Sequence, residues 1–451
     1  MSKNLETQVA DLEQVIKLLQ IQIQELLKEN EALKCKIIVL EDQLNINSSN
    51  SGLPTSKEIF QIEKKSRAKS DRKPGGQPNH KYNSYQMKKV DVIVDVMPCE
   101  ESCRCGGILT LAEEYKLHQK IEIPVIQPVV TEYHLRQKIC TRCNKRYKGK
   151  LNNYKLLGKN AEGIIASLGG FFNNSKRDIQ QILSQIFNLD LSLGLISTSE
   201  GRISENLEDK YNELVKSARE SSYLHLDETS SNNKGKRHWC WVAANSMVTV
   251  FKLASSRGKK VLESFLPEYA GKVISDRYAV YNIFNQEKRQ VCLAHLRRDF
   301  KRFAYSKHKN LAEVGKNLLD ILDTVFRFYQ LYKESRIDKL RYLRIMKKIN
   351  ERMLYYLTTI LNINGCEHAR RVAKNILKSF DMMWLFVENS EIEPTNNHAE
   401  RQIKHHVKYR KNSFFTWSTR GERFLERAKS LFASSKLQHL NPYQELINQL
   451  S

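Results

Sequence analysis

The stretch Ser222–Ser230, SYLHLDETS, decides how this chain is read. Leu224 and Leu226 alternate with His225 and Asp227, the period of two expected of a strand with one apolar face, and the run then meets two carboxylates. Two more strand-like runs follow, HWCWVAAN (238–245) and TVFKLAS (249–255), and then a helical KKVLESFLPEYA (259–270). KVISDRYAVYN (272–282) contains a buried strand, KVIS, that stops at Asp276, and RQVCLAHL (289–296) is a further strand running into a helix.

The predicted order is β-β-β-α-β-α-β-α, three antiparallel strands and then alternating units. That is the layout of a ribonuclease-H-like α/β domain, expected over 220–435, with Asp227 ending the first strand and Asp276 the fourth. A third acid stands further on. In NHAERQIKHHVKYRK (397–411), Glu400 is the one carboxylate among Arg401, Lys404, Lys408, Arg410 and Lys411. Taken singly, each acid has an ordinary explanation. Asp227 and Asp276 suit helix caps or turns, and Thr395 or Asn397 can cap a helix in which Asn397-x-x-Glu400 forms a capping box. Taken together, three carboxylates can hold two Mg²⁺ ions about 3.5–4 Å apart, with hard oxygen ligands of the kind Mg²⁺ needs; Mn²⁺ can substitute. Lys404, four residues along a helix from Glu400, would meet a phosphate beside the ions, and Arg401, Lys408, Arg410 and Lys411 would extend the basic track for DNA.

Outward from this centre, a helical insertion rich in Lys, Leu and Tyr is expected at about 301–390 and a C-terminal helix at 436–451. The segment 151–219 turns helical. RDIQQILSQIF is amphipathic, Asn188-Leu189-Asp190 breaks it, and LSLGLISTSEGRI follows, which suits either a helix-turn-helix or a plain helical connector. In 91–150, Cys103 and Cys105 stand 34 residues before the Cys140/Cys143 pair, with strand-like IEIPVIQPVV and EYHLRQKIC between. Cysteine pairs joined by strands describe a zinc ribbon with four thiolates on a structural Zn²⁺; Cys99 is an alternative to Cys103. Residues 47–90 form a flexible linker, Asn/Ser-rich and then Lys/Arg-rich. In 1–46, Leu5, Leu12, Leu19, Leu26, Leu33 and Leu40 recur every seventh residue, with Val9, Ile16, Ile23, Asn30, Ile37 and Leu44 between them. β-branched residues and Asn30 opposite a leucine seam predict a parallel coiled-coil homodimer, a leucine zipper; one long helix packed on its own protein is the alternative.

The whole is a multidomain α+β chain. Its 451 residues suggest about three units, and 41% apolar content suffices for a core. A formal charge of +24 points to a polyanionic partner, nucleic acid above all. The start carries no apolar signal region and no uncharged run reaches the ~18–20 residues of a membrane span, so a cytoplasmic protein with no membrane is expected.

HLDETS, VISDRYAVYN, CLAHLRRDF and NNHAERQIK, in this order, resemble the DDE transposases of the insertion-sequence-sixty-six family of bacterial mobile elements. The resemblance extends to the zipper, the linker with its GGQP at Gly75–Pro78, the cysteine module and the C-terminal NPYQELI. It implies a catalytic triad of Asp227, Asp276 and Glu400. It also implies binding to terminal inverted repeats of double-stranded DNA, hydrolysis at the element ends, joining of the 3′-hydroxyls to target DNA, and accessory proteins of the same element. The chain departs from the family in its CxC first pair and in Asn79, where a Gly is usual. Cys292-x-x-His295 resembles the CxxH that follows the second Asp in such enzymes, and is read as structural, with metal binding the lesser alternative. A non-catalytic DNA-binding regulator and a structure-specific ribonuclease-H-like nuclease are the rival functions.

Overall fold

A computed structural model of the protein describes residues 2–44, 87–100, 102–113, 115–152 and 154–450. The chain forms two compact units, 61–129 and a larger one made of 1–60 with 130–451. Most of the linker expected at 47–90, with its GGQP motif, lies outside the described residues. Among the described residues no helix is long and apolar enough to cross a membrane.

The described part of the smaller unit has no strand or helix. IEIPVIQPVV, expected as a strand, is not one, and Ile121, Ile123, Val125 and Val129 are exposed. Pro124 and Pro128 each remove a backbone donor from any ladder the segment could join. In the larger unit, α1 (Ser2–Leu44) is one unbroken helix on which Leu19, Leu26, Asn30, Leu33 and Leu40 are all exposed; the side chains of Leu5 and Leu12 lie outside the described ones. Of EYHLRQKIC, only β1 (Gln137–Ile139) is a strand, paired antiparallel with β2 (Arg146–Lys148).

A small helical core follows. α2 (Lys159–Ala166) continues through one π-type turn, and α3 (Lys176–Phe187) is capped by a Ser175/Asp178 capping box. Asn188, in the left-handed region at φ 49°, stops α3. Ser192 then caps α4 (Leu193–Asn206), and α5 (Glu208–Arg219) leads to the sheet. Ile165, Ile179, Leu183 and Ile196 close this core.

The central sheet has five strands: β3 (Tyr223–Asn233), β4 (Lys236–Ala244), β5 (Thr249–Ala254), β6 (Lys272–Ser275) and β7 (Arg289–Val291), in the order β5-β4-β3-β6-β7. The first three are antiparallel to one another, and β6 runs parallel to β3 and β7 to β6. Two expectations are corrected here. β3 does not end at its carboxylates but runs on to Asn233 as half of a long hairpin with β4. Between β6 and β7 two short 3₁₀ turns replace the expected α-helix, burying Val280, Tyr281 and Phe284 in the same core as the sheet.

Alternation divides the sheet's faces. Leu224, Leu226, Trp241, Ala243 and Val250 pack with α5 and α6 (Lys259–Phe265) on one side. Cys240, Val242, Phe251 and Leu253 pack on the other against α12 (Asn397–Ser413), α13 (Thr419–Leu437) and α14 (Pro442–Gln449). The free edge of β5 is sealed by side chains. Ser434, Ser430 and Glu426 of α13 accept the N–H groups of Thr249, Phe251 and Leu253 at 3.0, 2.9 and 2.6 Å. Steps of four along a helix match steps of two along a strand, about 6 Å against about 6.6 Å, so one helix covers the whole edge. From β7 the chain enters α7 (Leu293–Ala304), then α8 (Lys309–Lys333), α9 (Lys339–Leu361), α10 (Glu367–Leu377) and the single turn α11 (Leu385–Glu388), built around a core of their own that reaches Ile274 and Val291 of the sheet.

Candidate active site

β6 pairs with β3 only as far as His225↔Ile274. Two residues further along each strand stand Asp227 and Asp276, so continuing the register sets them side by side, about 4.8 Å apart between backbones. Asp227 is on the α12 side of β3, together with His225, Thr229 and Ser231, a polar row where the neighbouring strands present apolar residues. α12 therefore meets β3 through hydrogen bonds. His406 Nε2 lies 3.0 Å from Ser231 Oγ, and Arg410 donates to Thr229 Oγ1 and to Ser230 O and Oγ at 3.2, 2.9 and 2.8 Å.

The start of α12 is fixed by Asn396, which is buried. Its amide donates to Leu226 O at 2.7 Å, its Oδ1 stands 3.2 Å from His225 Nδ1, and its backbone N–H points at Cys292 Sγ, 3.1 Å away. Because the amide oxygen accepts, the His225 ring carries its proton on Nδ1. Burial, and after it His398, pushes His225 down to about 3, so it is neutral. The capping box expected of Asn397 and Glu400 does not form. Asn396 is the cap residue and spends its side chain on β3, which leaves the Glu400 carboxylate, half-buried on the next turn, free of the backbone.

Asp227, Asp276 and Glu400 are thus carried by a strand, the end of its parallel neighbour and a helix start, and all three are half-buried. Burial pushes the Asp227 carboxyl up to about 8, and Glu228, Asp276 and Glu400 add repulsion. The turn role foreseen for Asp276 exists as well: its Oδ1 accepts the Tyr278 N–H at 2.8 Å, while Arg289 holds its carbonyl at 2.7 Å. Glu228 points to the opposite face, where Arg257 Nε at 2.9 Å and the Tyr281 hydroxyl donate to it. Read as sequence, Glu228 and Asp227 form a single strand end; the alternation of the strand is the signal that separates them.

Arg401, Lys404, Lys408 and Lys411 are exposed, and steps of three, four and three put them on one stripe of α12. Arg410 is not part of it, being half-buried and bound to β3. After α12, Phe414 and Trp417 are exposed on a loop tied by Thr416 to Asn232 and Lys234 at the tip of the β3–β4 hairpin.

The cysteine pairs fall in different units. Cys103 and Cys105 Sγ are 3.2 Å apart, and the bond to Cys103 and then the Gly107 N–H lower the Cys105 thiol. Cys140 and Cys143 occupy the turn between β1 and β2, where the N–H groups of Arg142 and Cys143 and the Cys143 side chain lower the Cys140 thiol.

The profile described as "Transposase IS66 family" matches residues 176–423, more than half of the chain. The chain belongs to this family. The matched region of this IS66 transposase-family chain contains Asp227, Asp276 and Glu400 and every element that carries them. It is also similar to an uncharacterized protein, y4jD, of Sinorhizobium fredii, at 25% identity over 237 residues, 48% of this chain and 43% of that protein. The chain thus spans less than half the length of the curated relative it matches.

Proposed function

We propose that this chain is a DNA transposase of the DDE class whose centre is a ribonuclease-H-like sheet with Asp227, Asp276 and Glu400 as ligands of two Mg²⁺ ions. The observation that carries it is the convergence of three half-buried carboxylates: Asp227 on β3, Asp276 at the end of the parallel neighbour β6, and Glu400 one turn after Asn396, which ties the start of α12 to Leu226 O at 2.7 Å. Such a cluster is costly without cations and is relieved by them, so the donor set fits hard divalent ions. The strand order, with three antiparallel strands and two parallel ones, supports the ribonuclease-H-like reading. When bound, paired ions activate an attacking oxygen and stabilise the leaving one.

The protein's own part is positioning. Asn396 holds Glu400 against β3, and Arg289 holds the backbone of Asp276. Arg401, Lys404, Lys408 and Lys411 offer charge to the phosphates beside the carboxylates, while Phe414 and Trp417 offer faces for base stacking. The reaction is hydrolysis of the phosphodiester at each element end to leave a 3′-hydroxyl, and attack of that hydroxyl on target DNA. α1, with its leucines exposed, is assigned to a homodimer that brings two element ends together, and the α3–α4 turn to recognition of the terminal repeats. Structural Zn²⁺ is assigned to the cysteine pairs on residue type and spacing alone, Cys103 with Cys105 and Cys140 with Cys143. The protein is placed in the cytoplasm, with accessory proteins of the same element as partners.

The test is incubation of the purified protein with Mg²⁺ and DNA carrying the ends of its own element. Nicks exposing 3′-hydroxyls at the boundary, lost in Asp276→Asn while binding persists, are expected. Binding without cutting in either protein would leave a regulator, and cutting set by DNA structure regardless of the ends would leave a nuclease.

A further inference from the structure

His295 stands in the first turn of α7, three residues after Cys292. Its Nδ1 is buried and has no hydrogen-bond partner among the described residues. It lies 3.9 Å from Glu400 Oε1, and donor atoms of Cys292, His295 and Glu400 all fall within 4.8 Å of one another. A buried polar atom without a partner is destabilising, so this nitrogen calls for an explanation.

Cys292 does not supply it. Its Sγ already receives the Asn396 N–H at 3.1 Å. The His295–Glu400 gap is too long for a hydrogen bond. It suits two ligands of one ion, because donors about 2.1 Å from a shared ion stand roughly 3 Å apart at right angles and about 4 Å apart when nearly opposed. We propose that His295 is a further protein ligand of the divalent ion held by Glu400, the imidazole in an otherwise carboxylate centre. The proposal rests on the two-metal reading above and reverses the structural role expected of the Cys292-x-x-His295 motif. Imidazole suits Mn²⁺ better than Mg²⁺, so His295 biases the centre towards Mn²⁺.

The experiment is Mn²⁺ binding to the full chain, read by titration and by electron spin-echo modulation, which detects nitrogen bonded to manganese. Wild type is expected to show nitrogen coupling that His295→Gln loses, with Mn²⁺ binding weakened about tenfold and Mg²⁺ binding within about twofold of wild type. His398→Gln should keep the coupling. His295→Asp, a carboxylate in place of the ring, should restore tight binding and turn the preference towards Mg²⁺, which also shows that the position tolerates substitution. Mn²⁺ that binds, is lost in Asp227→Asn, and shows no nitrogen coupling would overturn the His295 proposal and leave the two-metal reading intact. The same holds for coupling that survives in His295→Gln. No Mn²⁺ binding in wild type would sink both.

Discussion

The side-chain amide of Asn396 donates to the carbonyl oxygen of Leu226 at 2.7 Å, across 170 residues of sequence. Leu226 precedes Asp227, and Asn396 lies one helical turn before Glu400. The bond ties the residue before one carboxylate to the start of the helix that carries another. Asn396→Ala should reduce cleavage at the element ends by more than tenfold with DNA affinity unchanged, and should lower stability by about 1–3 kcal/mol, since Leu226 O and the His225 ring lose their partner. Nicking assays and urea unfolding measure the two effects; unchanged nicking would remove Asn396 from the positioning role.

The exposed stripe and the half-buried Arg410 of α12 should behave differently. Replacing Lys404, Lys408 or Lys411 by Ala should weaken DNA binding and reduce the slope of log affinity against log salt by about one for each phosphate no longer neutralised. Arg410→Ala should leave that slope alone and lower stability, because its guanidinium serves Thr229 and Ser230. A drop in salt slope for Arg410→Ala would return it to the DNA-binding set.

Ser430 is fully buried on α13, and its hydroxyl accepts the Phe251 N–H of the edge strand. Ser430→Ala should cost about 1–3 kcal/mol in urea unfolding, the desolvation penalty of an unpaired backbone donor. A cost near zero would mean that β5 finds another acceptor.

His406 is buried between α12 and β3, and burial, reinforced by Lys429 and Arg410, pushes it down to about 3. The unfolded chain protonates this ring near pH 6.5, so between about 6.5 and 3 the unfolded state holds the extra proton. Stability then falls as pH drops, by about 1.4 kcal/mol per pH unit for this residue. His406→Gln should lose that slope, so that its change in unfolding free energy between pH 7 and pH 5 is about 2 kcal/mol smaller than in wild type. Equal pH dependence in the two proteins would show that the ring is charged in the fold.

Much was legible because it depends on local pattern. The alternation at Leu224 and Leu226, the apolar KVIS and the heptads of α1 each report a period that a strand or helix imposes on its own residues. The succession of five strands along the chain follows from these periods. Where β3 ends was not legible, because the polar row Asp227, Thr229, Ser231 looks like a turn until α12 is placed against it. The strand expected at IEIPVIQPVV failed for a different reason: its β-branched residues suit a strand, but Pro124 and Pro128 each remove a donor from the ladder.

The sequence by itself determined which residues could do chemistry: three acids, a basic helix and paired cysteines, in an order that names a family. Tertiary structure decided where each one sits and what it touches. It separated Glu228 from Asp227 by a strand's alternation and withdrew Arg410 from the basic track. It drew Asn396 from a capping role to the backbone of β3, and brought the unpartnered nitrogen of His295 to Glu400. Those assignments rest on hydrogen bonds and charges between residues far apart in the chain, and only the packing of α7 and α12 against the sheet brings them within reach of one another.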